Sequence, residues 1–153
     1  METEVGPVKI VAPGEGLEIQ SASERGHVKL FASDTGGQLQ LVEFPVEPGF
    51  GPPYHIHHME DEIFYVVEGE VEFTLDGKKT IAGAGSTVFA PRGVPHRFQG
   101  AGDKTAKFVI FITGDNFEKF YGRWAALQTS GNFTMEAGAA LAAEHGIYFL
   151  DQP

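Results

Sequence analysis

Cysteine is absent from the 153-residue chain, which excludes disulfide bonds, thiolate metal ligands and a cysteine nucleophile. Basic residues are scarce: 11 Lys and Arg stand against 21 Asp and Glu, for a net charge of −10. That balance disfavours nucleic acid and anionic membrane as partners. No apolar run approaches the roughly 18 residues of a membrane span. The N-terminus shows no basic stretch followed by an apolar core, so no secretory signal is expected, and cytoplasm is the expected location. Internal repeats are lacking too, so a duplicated domain is not expected. Apolar residues at 42% and charged residues at 21% are ordinary for a globular chain, and the length suits one well-buried core.

What the chain does have is a dense group of metal-competent side chains between Gly49 and Gly100, where His55, His57, His58 and His96 account for four of its six histidines. His55 and His57 are two apart, so on a strand both rings share a face with Cβ atoms roughly 6.7 Å apart. Two imidazoles so spaced can lean onto one ion at about 2.1 Å. On a helix the pair would diverge, and Pro52-Pro53 argue against helix. Glu62 opens the next apolar run, and a tight connection at His58–Asp61 would fold its carboxylate back beside the histidines. His96 follows Pro91-Arg-Gly93-Val-Pro95, a rigid turn that would deliver one more imidazole from a distant strand. Three histidines and a carboxylate leave one or two coordination positions open, a catalytic rather than a closed structural arrangement. Such a set suits Fe, Mn, Ni, Cu or Zn.

Other polar residues nearby have plainer readings. His58 alternates away from His57 and reads as a surface or supporting residue, and His27 as a surface or structural one. The Glu60-Asp61-Glu62 run reads mostly as a solvated acidic turn, with Glu62 alone set apart as a candidate ligand. Arg92 and Arg97 flank His96 and read as salt-bridge partners of surface acids.

Residues 1–16 are punctuated by Pro and Gly and read as an extended arm. Leu17–Ile19 and His27–Phe31 read as short strands around a polar turn at Ser21–Gly26, and Leu39–Val46 as a longer one. Ile63–Val67 is a continuous apolar run; with Glu62 facing inward, alternation puts Phe64 and Val66 inward beside it. Glu70–Leu75 and Lys78–Ile81 flank Asp76-Gly77, a two-residue hairpin signal. Thr87–Ala90, His96–Gln99 and Lys107–Thr113 complete the strands. Many short strands with Gly and Pro turns imply an all-β antiparallel barrel or jelly roll. The chain thus divides into an arm with edge strands over 1–26, a β-barrel over 27–114 and a helical tail over 115–153, one domain overall.

In that tail Asp115 is placed to cap a helix whose Phe117, Phe120, Tyr121, Trp124 and Leu127 form one apolar stripe, read as core packing with a pocket lid as the alternative. A second helix is expected from about Thr134 to His145, with His145 as a capping group and Gly146 as the stop. Ile147-Tyr-Phe-Leu reads as a docked apolar tail.

The central stretch resembles both motifs of the cupin superfamily. One runs from Gly49 through His55, His57 and Glu62 to Gly69; the other from Gly85 through Pro91 and Gly93 to His96. By composition, a chance match at these fixed positions is on the order of 10⁻¹⁰ per alignment. The second motif usually ends in Asn four residues after its histidine, where this chain has Gly100. The His-x-His-His lead-in, the Asp61-Glu62 pair and the ending Ala143-Glu-His-Gly-Ile-Tyr-Phe-Leu further resemble the quercetinase-like single-domain bacterial cupins. The resemblance implies a double-stranded β-helix in which His55, His57, Glu62 and His96 bind one divalent transition metal. It implies, too, an aromatic or enolic small-molecule substrate, dioxygen as co-substrate, and an N-terminal arm that pairs across a homodimer. Glu62 is the expected catalytic base if it leaves the metal, and Tyr54, Phe64 and Phe98 the expected substrate pocket. A non-redox isomerase, lyase or cyclase, or a binding module without turnover, would use the same ligands.

Overall fold

The computed structural model describes residues 6–20 and 25–153. The strands are β1 (Leu17–Gln20), β2 (Arg25–Leu30), β3 (Leu39–Val46), β4 (His55–His57), β5 (Glu62–Glu68), β6 (Glu70–Leu75), β7 (Lys78–Gly83), β8 (Thr87–Ala90), β9 (His96–Gly100), β10 (Ala106–Thr113) and β11 (Ile147–Phe149). Two helices, α1 (Asn116–Thr129) and α2 (Met135–Glu144), precede the last strand. The strands form a six-stranded sheet in the order β1-β2-β3-β10-β5-β8 and a five-stranded sheet in the order β11-β4-β9-β6-β7, with every strand pair antiparallel. This is the expected all-β jelly roll with a short helical tail. The turn expected at Ser21–Gly26 lies largely outside the described residues.

Period-two alternation sets which side chains fill the space between the sheets. Along β5, Glu62, Phe64 and Val66 are buried while Ile63, Tyr65 and Val67 are exposed, as the alternation predicts. From β10, Phe108, Ile110 and Ile112 face the same interior; Ile110 is in register with Phe64 and Ile112 with Glu62. The centre is a knot of phenylalanines: the rings of Phe64 and Phe73 lie 5.1 Å apart, Phe64 and Phe108 5.3 Å, and Phe98 and Phe108 4.8 Å, all edge-to-face. That geometry sets ring edges against π-faces and adds about 0.5–1.5 kcal/mol per pair to the area buried. Asp76-Gly77 does make the β6–β7 hairpin, with φ of 47° and 77°, both in the left-handed region that a primed turn demands.

Gly100, where the motif usually has Asn, is explained by close approach. A Cβ there would stand 2.2 Å from the carbonyl oxygen of Glu47. Without one, Gly100 exchanges backbone hydrogen bonds with Gly49 and Phe50 at 2.9 and 3.0 Å, pinning the lead-in to the metal strand against the end of β9.

Two details of the tail differ from expectation. Asp115 does not cap α1 through its side chain; its carboxylate instead pairs with Lys119 at 2.7 Å, one helical turn on. Ile147–Phe149 is not merely docked: it is an edge strand paired with β4, Ile147 opposite His57 and Phe149 opposite His55. Three residues are too few to show a period, so only the tertiary pairing reveals the strand. Thr134 caps α2, its Oγ1 accepting from the Ala137 N–H at 3.0 Å.

Ile147 is 2% exposed and packs with Phe120, Leu141 and Ala142 in a small core that joins both helices to β4. Ile147→Ala should therefore lower the unfolding free energy by about 2–5 kcal/mol. Urea denaturation followed by circular dichroism measures it, and a change below 1 kcal/mol, as at a loose terminal segment, would show that β11 does not hold the barrel edge.

Candidate metal centre

Strands β4, β5 and β9 bring the four expected ligands together. His55 and His57 point inward from β4, Glu62 from the start of β5 and His96 from the start of β9, where it is in register with His55. All four are buried, at 7%, 2%, 4% and 2% exposure. Their ligand atoms lie within 4.8 Å of one another. Glu62 Oε2 is 2.7 Å from His96 Nε2, and Glu62 Oε1 is 3.5 Å from His57 Nε2. Metal–nitrogen bonds of about 2.0–2.1 Å place adjacent ligand atoms on the order of 3 Å apart, so the spacing fits one ion.

The outer ring nitrogens fix the tautomers. His55 Nδ1 donates to the Pro53 carbonyl at 2.7 Å, His96 Nδ1 to the Val94 carbonyl at 3.0 Å, and His57 Nδ1 to the Glu60 carboxylate at 2.9 Å. A carbonyl or carboxylate can only accept, so each Nδ1 carries a proton and each Nε2 turns inward. This is the arrangement in which partners beyond the ligands orient a metal-binding imidazole.

The electrostatics agree. Burial, reinforced by the neighbouring imidazoles of His96 and His57, pushes His55 down to about 3, so its ring is a neutral donor at neutral pH. Burial also opposes charge on His57, but the carboxylates of Glu62 and Glu60 outweigh it and raise its pKa. Burial would raise Glu62 as well; His57, His96 and His55 together hold it down to about 2, so it is an ionised oxygen donor. A buried carboxylate ringed by imidazoles suits one metal ion.

Glu60 corrects the acidic-turn reading. It is 1% exposed, and besides His57 it accepts from Asn116 Nδ2. Asn116 also donates to the His145 carbonyl at 2.8 Å and accepts from His145 Nδ1 at 3.1 Å. His145 thus does sit at the end of α2, but its ring joins a chain running inward to the site. The signal available was the His57-x-x-Glu60 spacing, which acquires meaning only once the turn is known to fold back. Asp61 remains near the surface, where Arg92 grips it through Nε at 3.1 Å and a terminal nitrogen at 2.8 Å, the salt bridge expected of Arg92. Arg97 differs: it donates to the neutral amide oxygens of Gln99 and Gln152 rather than to an acid. His58 is exposed against the Tyr148 ring, and His27 is half-buried in β2 opposite Glu18 and Glu43.

A cavity of about 90 Å³ opens above the cluster, with His55, His57 and Glu62 among its lining and Phe98, Phe117 and Tyr121 among its walls. Of the three expected pocket residues, Phe98 lines it. Phe64 does not: it is fully buried behind His96, ring to ring at 6.4 Å. Tyr54 does not either, because its side chain turns to the β6–β7 hairpin and its hydroxyl accepts from the Gly77 N–H at 2.9 Å. The α1 stripe read as core packing supplies Phe117, Phe120, Tyr121 and Trp124 to this cavity. Sequence shows that the stripe is apolar, not what it faces.

Fold and site together define a metal-binding antiparallel β-barrel. The cupin-domain family model matches residues 42–112, a little under half of the chain, and in fold and motif the chain resembles the cupin superfamily. Among curated proteins it is 34% identical over 92 residues to the polyketide synthase CurC of Streptomyces cyaneus, covering 51% of this chain and 60% of that protein. It is 26% identical over 112 residues to the quercetin 2,3-dioxygenase of Bacillus subtilis, covering 73% of this chain and 33% of that protein. Among solved structures, the polyketide cyclase RemF of Streptomyces resistomycificus superposes with a TM-score of 0.61 at 27% identity, covering 70% of this chain and 80% of that one. The chain spans at most 60% of the length of the curated relatives it matches. No helix is long and apolar enough to cross a membrane among the described residues.

Replacing Glu60 with Ala removes the acceptor that holds the His57 ring and should weaken metal affinity roughly 10–100-fold. Glu60→Gln keeps an acceptor oxygen and should recover part of that loss. Competition with a colourimetric chelator measures both. Wild-type affinity in Glu60→Ala would leave Glu60 with no part in holding the site.

Proposed function

We propose that the chain is a metal-dependent dioxygenase of an aromatic or enolic small molecule, with quercetinase-type ring cleavage as the nearest model. The observation that supports it best is a buried three-histidine, one-carboxylate cluster at the floor of an aromatic-walled cavity. His55, His57, Glu62 and His96 would hold a divalent metal, which would supply Lewis-acid and, for a redox metal, oxygen chemistry. The remaining work falls to the chain. Phe98, Phe117 and Tyr121 offer ring faces and edges against which a flat substrate ring packs, and their bulk keeps water from the reacting atoms.

Glu62 is the group placed to take the proton of a substrate hydroxyl. Beside the imidazoles its pKa is about 2, too low for an efficient base at neutral pH. Turning away from the ion and the imidazoles would remove the partners that hold it down. The same carboxylate is then a ligand in one rotamer and a base in the other. The cavity is small beside the about 300–1,000 Å³ of pockets for drug-sized molecules, so it receives the reacting ring, and a larger substrate displaces part of the α1 wall.

A non-redox reading, a polyketide-type cyclase, draws support from the similarity to CurC and to RemF. It needs the same base and the same Lewis acid without oxygen uptake.

Metal-loaded protein is assayed with an oxygen electrode across phenolic and enolic substrates, with binding read from quenching of Trp124, the single tryptophan, which lines the cavity. Oxygen consumed in step with substrate supports the dioxygenase; conversion without it selects the cyclase. Glu62→Gln should keep most of its metal while turnover falls roughly 10²–10⁴-fold, and full turnover would remove the base role.

We also propose a homodimer. Ile63, Tyr65, Val67 and Phe89 are 37%, 45%, 46% and 57% exposed on the outer face of β5 and β8, and β8 is a sheet edge. A second copy covering that face would bury the patch. Light scattering at micromolar concentration should give twice the 16.6 kDa chain mass, and Tyr65→Glu should halve it. A wild-type monomer would count against the dimer.

A further inference from the structure

A second cavity, of about 330 Å³, lies between α1 and the strands β1 to β3, and none of the four metal ligands lines it. Phe117 and Tyr121 line both cavities and form their shared wall. The rest of its surface is mainly apolar, with Ile19, Val28 and Val42 from the strands and Ala125 from the helix.

Two observations mark it as more than a packing gap. Gln40 lines it, is 1% exposed, and its Nε2 has no hydrogen-bond partner among the described residues. A buried amide donor left unpaired is costly, and a bound acceptor recovers that cost. Gly122 stands at the edge of the cavity in the interior of α1, where glycine is a poor helix former. Gly122 is exposed and a Cβ there would meet nothing within 4 Å, so packing does not require glycine and a longer side chain has room at the edge of the opening.

Charge narrows the occupant. Glu18 and Glu118 are the only carboxylates in the lining among the described residues, and no Lys, Arg or His lines it, so an anion is disfavoured. Glu118 Oε2 already accepts from the Ala32 N–H at 2.8 Å. We propose that this cavity is a second ligand site, taking a neutral, largely apolar small molecule that presents a carbonyl-type acceptor to Gln40 Nε2.

Benzophenone has that chemistry, and diphenylmethane has a similar shape without the acceptor. Titrated into ¹⁵N-labelled full chain, benzophenone should shift the Gln40 side-chain amide pair saturably. Irradiated, it should crosslink to peptides carrying Val42 or Ala125. Gln40→Leu should weaken benzophenone roughly three- to tenfold and leave diphenylmethane unchanged. Gly122→Leu should abolish binding while the protein stays folded by circular dichroism and holds as much metal as the wild type. The proposal is overturned by adducts confined to the metal-side cavity around Pro53 or Phe98, by no saturable binding, or by equal benzophenone affinity in Gln40→Leu. Because the metal-binding residues are untouched, oxygen uptake and metal content report separately on the proposed oxygenase.

Discussion

The interaction on which the rest depends is the convergence of Glu62 with three imidazoles inside the barrel. Moving a carboxylate out of water costs several kcal/mol, and a barrel of phenylalanines offers nothing to offset it. The histidines, and an ion among them, do. That requirement explains otherwise odd local features. The metal strand β4 is three residues long yet held on both sides, by β9 through the His55–His96 pair and by β11 along its whole length. The turn carrying Glu62 is closed by Arg92 gripping Asp61, and the Gly93 N–H donates to the His57 carbonyl at 2.7 Å. Each contact removes freedom from a ligand-bearing backbone.

The site was legible where spacing and alternation carry information. A two-residue spacing places two rings on one face of a strand, and alternation from Glu62 places Phe64 and Val66 inward. Both follow from backbone geometry alone and need no knowledge of neighbours. Glu60 was not legible, because its burial depends on Asn116, 56 positions away, which meets it only after α1 has docked. Nor was the strand at Ile147–Phe149, since three residues show no period. Phe64 was placed on the correct face of the sheet, yet one layer below the cavity surface. Alternation fixes the side of a sheet; it does not fix the depth among stacked aromatic rings. Tyr54 was drawn away from the metal side by a hydrogen bond to a hairpin 23 residues further on, a pairing that no local pattern announces.

Helix α1 illustrates how one sequence feature serves several ends. Its aromatic stripe resembles any core-facing helix, and Phe120 does pack in the small core with Leu141, Ala142 and Ile147. The same stripe walls the metal-side cavity, and two of its members wall the second cavity as well. An apolar face is read from composition; the choice between packing and lining depends on whether the opposite surface is filled. Here the opposite surface is the open mouth of a barrel, so the face does both.

That double use ties substrate entry to ligand geometry. Phe117 lies 5.8 Å from the His57 ring and 5.8 Å from Phe120. Phe120 shares its core with Ile147, which is opposite His57 across the β4–β11 pair. Asn116, in the first turn of α1, bonds Glu60 and through it the outer nitrogen of His57. Three routes therefore lead from one helix to one histidine: a ring contact, a strand pairing and a hydrogen-bonded chain. On the proposed function, a substrate large enough to displace α1 would act on all three. His55 and His96 are oriented by the local carbonyls of Pro53 and Val94, although His55 also faces β11 through Phe149. The cluster thus joins two imidazoles oriented by nearby carbonyls to one oriented through Glu60 and Asn116 of α1.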